Sequence, residues 1–151
     1  MGIVQRFQHW SHHTREDLTA NREDLTATVL RVFLGLILVA KGVVFLSNAD
    51  ELRSIILESR FRAGTAFLVS YVTFAHLFGG VFIIIGLFTR VVALLQLPIL
   101  IGALFFILPA QGMLFNGEFF LSVLVLLLII YTLMVGPGEM SMDDYLKKYL
   151  L

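Results

Sequence analysis

The chain contains no cysteine. That excludes a disulfide relay, thiol chemistry and cysteine-ligated iron–sulfur clusters within it. Charge is also scarce, at 15% of 151 residues, where a soluble domain carries about 25%. Formal net charge is zero, so nothing suggests a nucleic-acid partner. What fills the space is apolar: 58% hydrophobic types, and a mean hydropathy of +0.90. This is membrane composition.

The few charges are spaced so as to leave long gaps. No Asp, Glu, Lys or Arg stands between Arg62 and Arg90, between Arg90 and Glu118, or between Glu118 and Glu139. A bilayer span needs roughly 20 predominantly apolar residues, because lipid offers no partner to a backbone amide that is unpaired within its own segment. Four spans are predicted, near 26–47, 65–89, 91–109 and 119–135. The fold class expected is all-α: an integral membrane four-helix bundle, preceded by an amphipathic helical arm. The amino-terminal stretch is polar for too long to read as a secretory signal, so the first apolar segment is expected to stay. Gly2 is followed by Arg6 where a myristoylation motif needs Ser or Thr.

In the arm, Ile3, Val4, Phe7 and Trp10 form an apolar stripe if helical, suited to the headgroup region. REDLTA occurs twice, at 15–20 and 22–27, which puts Leu18 and Leu25 on one helical face. A solvated extension of the first span explains it, and a partner-docking helix is the sharper alternative. The segment after span one, with Asn48 or Asp50 as a cap, predicts a short helix turning Leu52, Ile55, Ile56 and Phe61 toward the membrane. The few residues around Thr89 and Arg90 force spans two and three into an antiparallel pair. Pro98 predicts a kink in span three. Three regions follow: 1–24, a cytoplasmic arm; 25–138, the bundle; 139–151, a short cytoplasmic tail. With both termini inside, Arg6, Arg15, Arg22, Arg31, Arg90, Lys147 and Lys148 lie inside, against Arg53, Arg60 and Arg62 outside.

Polar residues within the spans are the candidates for function. At 100° per residue, His76, Gly79, Gly80, Gly86 and Arg90 fall within an arc of about 120° on one helix. Small residues admit a neighbouring helix, and an intramembrane polar group turns toward the bundle interior. Gly35 and Gly42 share a face of span one with Arg31, and their packing on the glycine face of span two would bring Lys41 and His76 toward one cavity. Lys41 and Glu118 are expected to pair, since a lone charge at such depth costs at least about 2.5 kcal/mol. Arg31 and Arg90 lie near the inner boundary, where each can reach phosphates or an acid such as Asp24 or Glu139. The candidate ligand-binding residues are His76, Lys41, Arg31, Arg90, Gln96 and Glu118. Those for helix packing are Gly35, Gly42, Gly79, Gly80 and Gly86. A structural hydrogen bond from His76 to Gln96, Tyr71 or a backbone carbonyl is the plain alternative to ligand or proton work. No metal site is read in the spans; His9, His12 and His13 have ligand spacing but suit a surface.

Two stretches, LRVFLGLILVAKGVVFL at 30–46 and FAHLFGGVFIIIGLFTRVVALL at 74–95, resemble the DoxX family of small bacterial membrane proteins. The resemblance covers about 25–135 and rests on the arginine and lysine of the first stretch and the paired glycines and G-L-x-T-R of the second. Many relatives carry glutamate where His76 stands, so a proton role belonging to that acid does not carry over. The resemblance implies a four-helix bacterial inner-membrane protein associated with respiratory redox systems, as a subunit of a quinol-oxidase or thiosulfate–quinone oxidoreductase assembly or a partner of a redox enzyme. The expected ligand is then a quinone or similar lipid-like molecule between spans one and two. A small-solute carrier, which four spans would need a homodimer to build, and a structural membrane scaffold are the alternatives.

Overall fold

The computed structural model describes residues 3–58, 64–110, 112, 116–138 and 141–150, with side chains from residue 22 onward except Ala110. The order is α1 (Ile3–Ser47), α2 (Ala49–Glu58), α3 (Thr65–Ile85), α4 (Thr89–Gly102), a π-helical turn (Ala103–Ile107), α5 (Leu108–Ala110), α6 (Gly117–Val135) and α7 (Met142–Leu150). Four stretches are long and apolar enough to cross a membrane: Arg22–Ser47, Thr65–Ile85, Thr89–Ile107 and Gly117–Val135. The four run alternately up and down in a ring. α1 lies on α3 and α6, and α4 lies on α3 and α6. Between them sits a core of Leu34, Leu38, Ile83, Val92, Ala93, Leu100, Val125, Leu128 and Ile129. Phe33, Leu36, Phe78, Leu94, Phe105 and Leu127 point outward, as side chains solvated by lipid should. The side chains of the expected amphipathic arm, and Phe61, Arg60 and Arg62, lie outside the described residues.

The α1–α3 contact is made almost backbone to backbone. A Cβ on Gly80 would sit 2.8 Å from the Gly35 carbonyl oxygen and 2.7 Å from a Val39 methyl, and one on Gly42 would sit 2.7 Å from Leu77. Lipid gives no hydrophobic drive for helix association, so this close approach supplies dispersion contacts instead. Gly79 does something different: its missing Cβ makes room for Gln96 of α4, whose Nε2 would lie 2.7 Å away. Adjacent glycines thus serve two neighbours.

Span two is shorter than expected, and this corrects the arc drawn from it. α3 stops at Ile85 because Gly86 takes the left-handed conformation, φ 78°, in which Gly86 and Leu87 N–H both return to the Phe82 carbonyl. That is a Schellman ending, which a residue with a Cβ fills poorly. Arg90 therefore belongs to α4, and only His76, Gly79 and Gly80 of that arc remain inside α3. Gly86 is a helix stop rather than a helix-packing residue. Ahead of span one the helix is continuous back to Ile3. Pro98 lies inside α4 with helix on both sides, and the helix widens further on, at Ala103–Ile107, where the Leu108 N–H reaches back to Ala103.

Candidate functional site

A cavity of about 530 Å³ occupies the α2 end of the bundle. It is walled by Ile37, Leu38, Val44 and Phe45 of α1, Leu52, Ile55 and Ile56 of α2, Leu68 and Val72 of α3, Pro98 to Leu100 of α4, and Leu121 and Val125 of α6. Ala103 and Ile107 of the π-helical turn also face it. Its polar groups are few: Lys41, Asn48, Glu51, Tyr71, His76, Glu118 and Ser122. This volume and lining fall within the range of small-molecule sites, which are mostly apolar with a few orienting polar groups.

Lys41 reaches the cavity because it lies on the half of α1 nearest α2, about one turn beyond the buried Leu38. Its Nζ is 2.5 Å from Glu118 Oε2, so the expected ion pair is present. Glu118 sits in the first turn of α6, where the exposed N–H groups of the helix favour an acid. An ammonium has three donors, and one contact to Glu118 leaves it able to donate again.

His76 is 6% exposed and stands on the cavity wall. Its Nδ1 is 2.8 Å from the Val72 carbonyl oxygen, one turn back on α3. A carbonyl only accepts, so Nδ1 carries the hydrogen and donates it. The plain alternative of a backbone hydrogen bond is therefore real. In the neutral ring it also makes Nε2 an acceptor, directed away from the helix backbone. The Phe45 ring meets the imidazole edge-on, centroids 5.1 Å apart, and fixes the ring plane. Tyr71 is already committed, donating to the Leu95 carbonyl at 2.9 Å.

The other three candidate ligand-binding residues do not line this cavity. Gln96, 1% exposed, lies between α3 and α4 and donates from Nε2 to the Ala75 carbonyl at 2.5 Å. It ties two helices together through the space Gly79 leaves. Arg31 is at the opposite end, where it donates to the Pro137 carbonyl and its guanidinium fills the space beside Gly86. Arg90, exposed, lies against Gly136 at that same end. The structure brings both arginines to the end of the bundle that holds the α3–α4 turn, where Arg31 meets the Pro137 carbonyl and Gly86, and Arg90 meets Gly136.

Two features of the structure were missed in the sequence. The first is the contribution of α2 and the π-helical turn to the cavity, including Glu51 at its rim. The second is Asp143. Its Oδ1 accepts the Phe88 N–H at 2.7 Å and its Oδ2 the Thr89 N–H at 2.9 Å, so a side chain from α7 caps the start of α4. Phe88 is held there at φ 48°, a left-handed conformation costly for a residue with a Cβ. The Asp143 N–H in turn donates to the Gly86 carbonyl at 3.0 Å, and Ser141 is buried against Gly86. A signal existed: Ser141 Oγ accepts the Asp144 N–H at 3.1 Å, an N-cap readable in SMDD.

No curated protein and no solved structure matches the chain. The sequence model of the DoxX family matches residues 26–109, which takes in α1 from its buried end, the glycine contact, His76, the α3–α4 turn and the π-helical turn. With its several membrane-spanning helices, the chain belongs to the DoxX family.

Proposed function

We propose that the protein is a membrane subunit of a redox assembly that holds a quinone or similar lipid-like molecule in the cavity between α1, α2, α3 and α6. The observation that carries this reading is the convergence of Lys41, His76 and Glu118 on one apolar-walled space. A ring with an isoprenoid or alkyl tail needs such a place: apolar walls for ring and tail, and a small number of groups to orient its oxygens. Lys41 supplies a donor to an oxygen of the bound molecule, while His76 Nε2 and the carboxylate of Glu118 can accept from a hydroxyl where that molecule carries one. The π-helical turn at Ala103–Ile107 adds support, since such turns recur at functional sites. Arg31, Arg90 and Gln96 act on this reading as braces for the bundle. Oxidation chemistry would come from the bound molecule or a partner enzyme, because the chain has no cysteine to ligate a cluster. The reading also places the protein in a bacterial inner membrane with both termini, the arm 1–24 and the tail 139–151 on the cytoplasmic side.

The test is organic extraction of protein purified in mild detergent, followed by mass analysis of the lipids that travel with it. A quinone recovered near one per chain, and depleted by Lys41→Met or His76→Phe, is the expected result. Recovery no higher than from an unrelated membrane protein, or unaffected by both substitutions, refutes the reading and returns the carrier and scaffold alternatives.

A further inference from the structure

We infer that the cavity selects the hydroxyl-bearing, reduced form of its ligand over the carbonyl form: a quinol rather than a quinone. This rests on the quinone-site reading above and adds a direction to it. The geometry behind it is the hydrogen bond from His76 Nδ1 to the Val72 carbonyl, 2.8 Å long. That bond occupies the only N–H of a neutral imidazole. What His76 offers the cavity is then a lone pair, at Nε2. A quinone oxygen also offers only lone pairs, so the two would face each other without a proton between them. A quinol O–H donates to Nε2 directly.

The second polar pair acts in the same sense. Glu118 is an acceptor whose Oε2 already takes a hydrogen from Lys41 at 2.5 Å. Among the described residues Lys41 is the one ammonium on the cavity wall, and it can donate to the oxygen of either form. A quinone can use only the donors of the wall, Lys41 with the Asn48 amide and the Ser122 hydroxyl, and leaves the His76 lone pair without a hydrogen. The quinol is served by Lys41 and by at least one acceptor. A donor that the site is built to receive separates two otherwise similar ligands far better than an added methylene does, because its absence leaves a buried polar atom unpaired.

The probes are decylubiquinone and its two-electron-reduced quinol, kept anaerobic. Binding of each is measured by equilibrium dialysis against the purified full chain in detergent, corrected for partition into empty micelles. Wild type is expected to hold the quinol about five- to tenfold more tightly than the quinone, the equivalent of one hydrogen bond. His76→Phe, which keeps the ring volume and removes both nitrogens, is expected to bring that ratio to within about twofold of one. Equal affinity for the two forms in wild type, or a preference for the quinone, overturns the inference and leaves the quinone site standing. A preference that survives His76→Phe overturns the role given to Nε2. If neither form binds, the inference and the site reading fall together. The wild-type ratio decides the matter even if the variant does not fold.

Discussion

Lys41 Nζ and Glu118 Oε2, separated by 77 positions in the chain, stand 2.5 Å apart across the α1–α6 interface. Their side chains are 24% and 55% exposed, so the pair lies between a surface bridge and a buried one. Breaking it with Lys41→Met or Glu118→Leu is expected to lower stability in detergent by about 1–2 kcal/mol, above the surface median and below the cost of a fully buried orphan charge. The double variant should recover much of that loss. Thermal unfolding of the four proteins in one detergent closes the cycle, and strictly additive losses would mean the two charges do not interact.

Gly80 is the tightest constraint on the bundle. With Val39 and the Gly35 carbonyl oxygen both within 2.8 Å of an added Cβ, Gly80→Val must push α1 and α3 apart. A loss of about 1–3 kcal/mol is expected, from overpacking against backbone that cannot turn aside. Gly102→Ala is the matched control, since nothing lies within 4 Å of its added Cβ. Its stability should stay level or rise by up to about 1 kcal/mol from helix propensity. Equal melting of the two variants would contradict the packing described.

Asp143 secures the turn between α3 and α4 from outside both helices. Asp143→Ala removes two acceptors from the Phe88 and Thr89 N–H groups, and about 1–2 kcal/mol of stability should go with them, as for a lost helix cap. Asp143→Asn keeps one acceptor and should lose less. Hydrogen exchange at Phe88 and Thr89 reads the same event locally. Protection unchanged in Asp143→Ala would show that the cap does not hold the turn.

The proposed orientation is open to chemical labelling because the chain has no cysteine of its own. Ser54 on α2 and Lys147 on α7 are exposed at opposite ends of the bundle. With termini inside, a membrane-impermeant maleimide should label Ser54→Cys in intact cells and Lys147→Cys only after permeabilisation. The reverse pattern would invert the topology.

What could be read from the sequence was what charge spacing and composition govern. Lipid cannot satisfy a bare amide, so the gaps between Arg62, Arg90, Glu118 and Glu139 had to be helical, and the structure has helices there. The Lys41 and Glu118 pairing followed from depth alone. Hidden from the sequence were facts set by small angular and tertiary choices. Gly79 and Gly80 look alike in a row of letters, yet one faces α4 and the other α1. Extending the helix through Gly86 carried Arg90 onto a face it does not share, because the left-handed stop at Gly86 resets the angle. Polarity alone makes Gln96 a candidate ligand residue, and the sequence does not show that its amide joins α4 to the Ala75 carbonyl. Asp143 could be seen as a charge, but which turn it caps depends on where α7 docks.

The central claim is that Lys41, His76 and Glu118 face one ligand cavity, and photolabelling tests it most directly. A quinone analogue carrying a photoreactive azide on its ring would be irradiated with the purified protein and the adducts mapped by peptide mass analysis. The expected labels fall on cavity-lining positions such as Phe45, Tyr71, Ala103 and Ser122, and excess unlabelled quinone or quinol should compete them away. Labels confined to outward residues such as Phe33, Leu94 and Leu127, and indifferent to competitor, would contradict it.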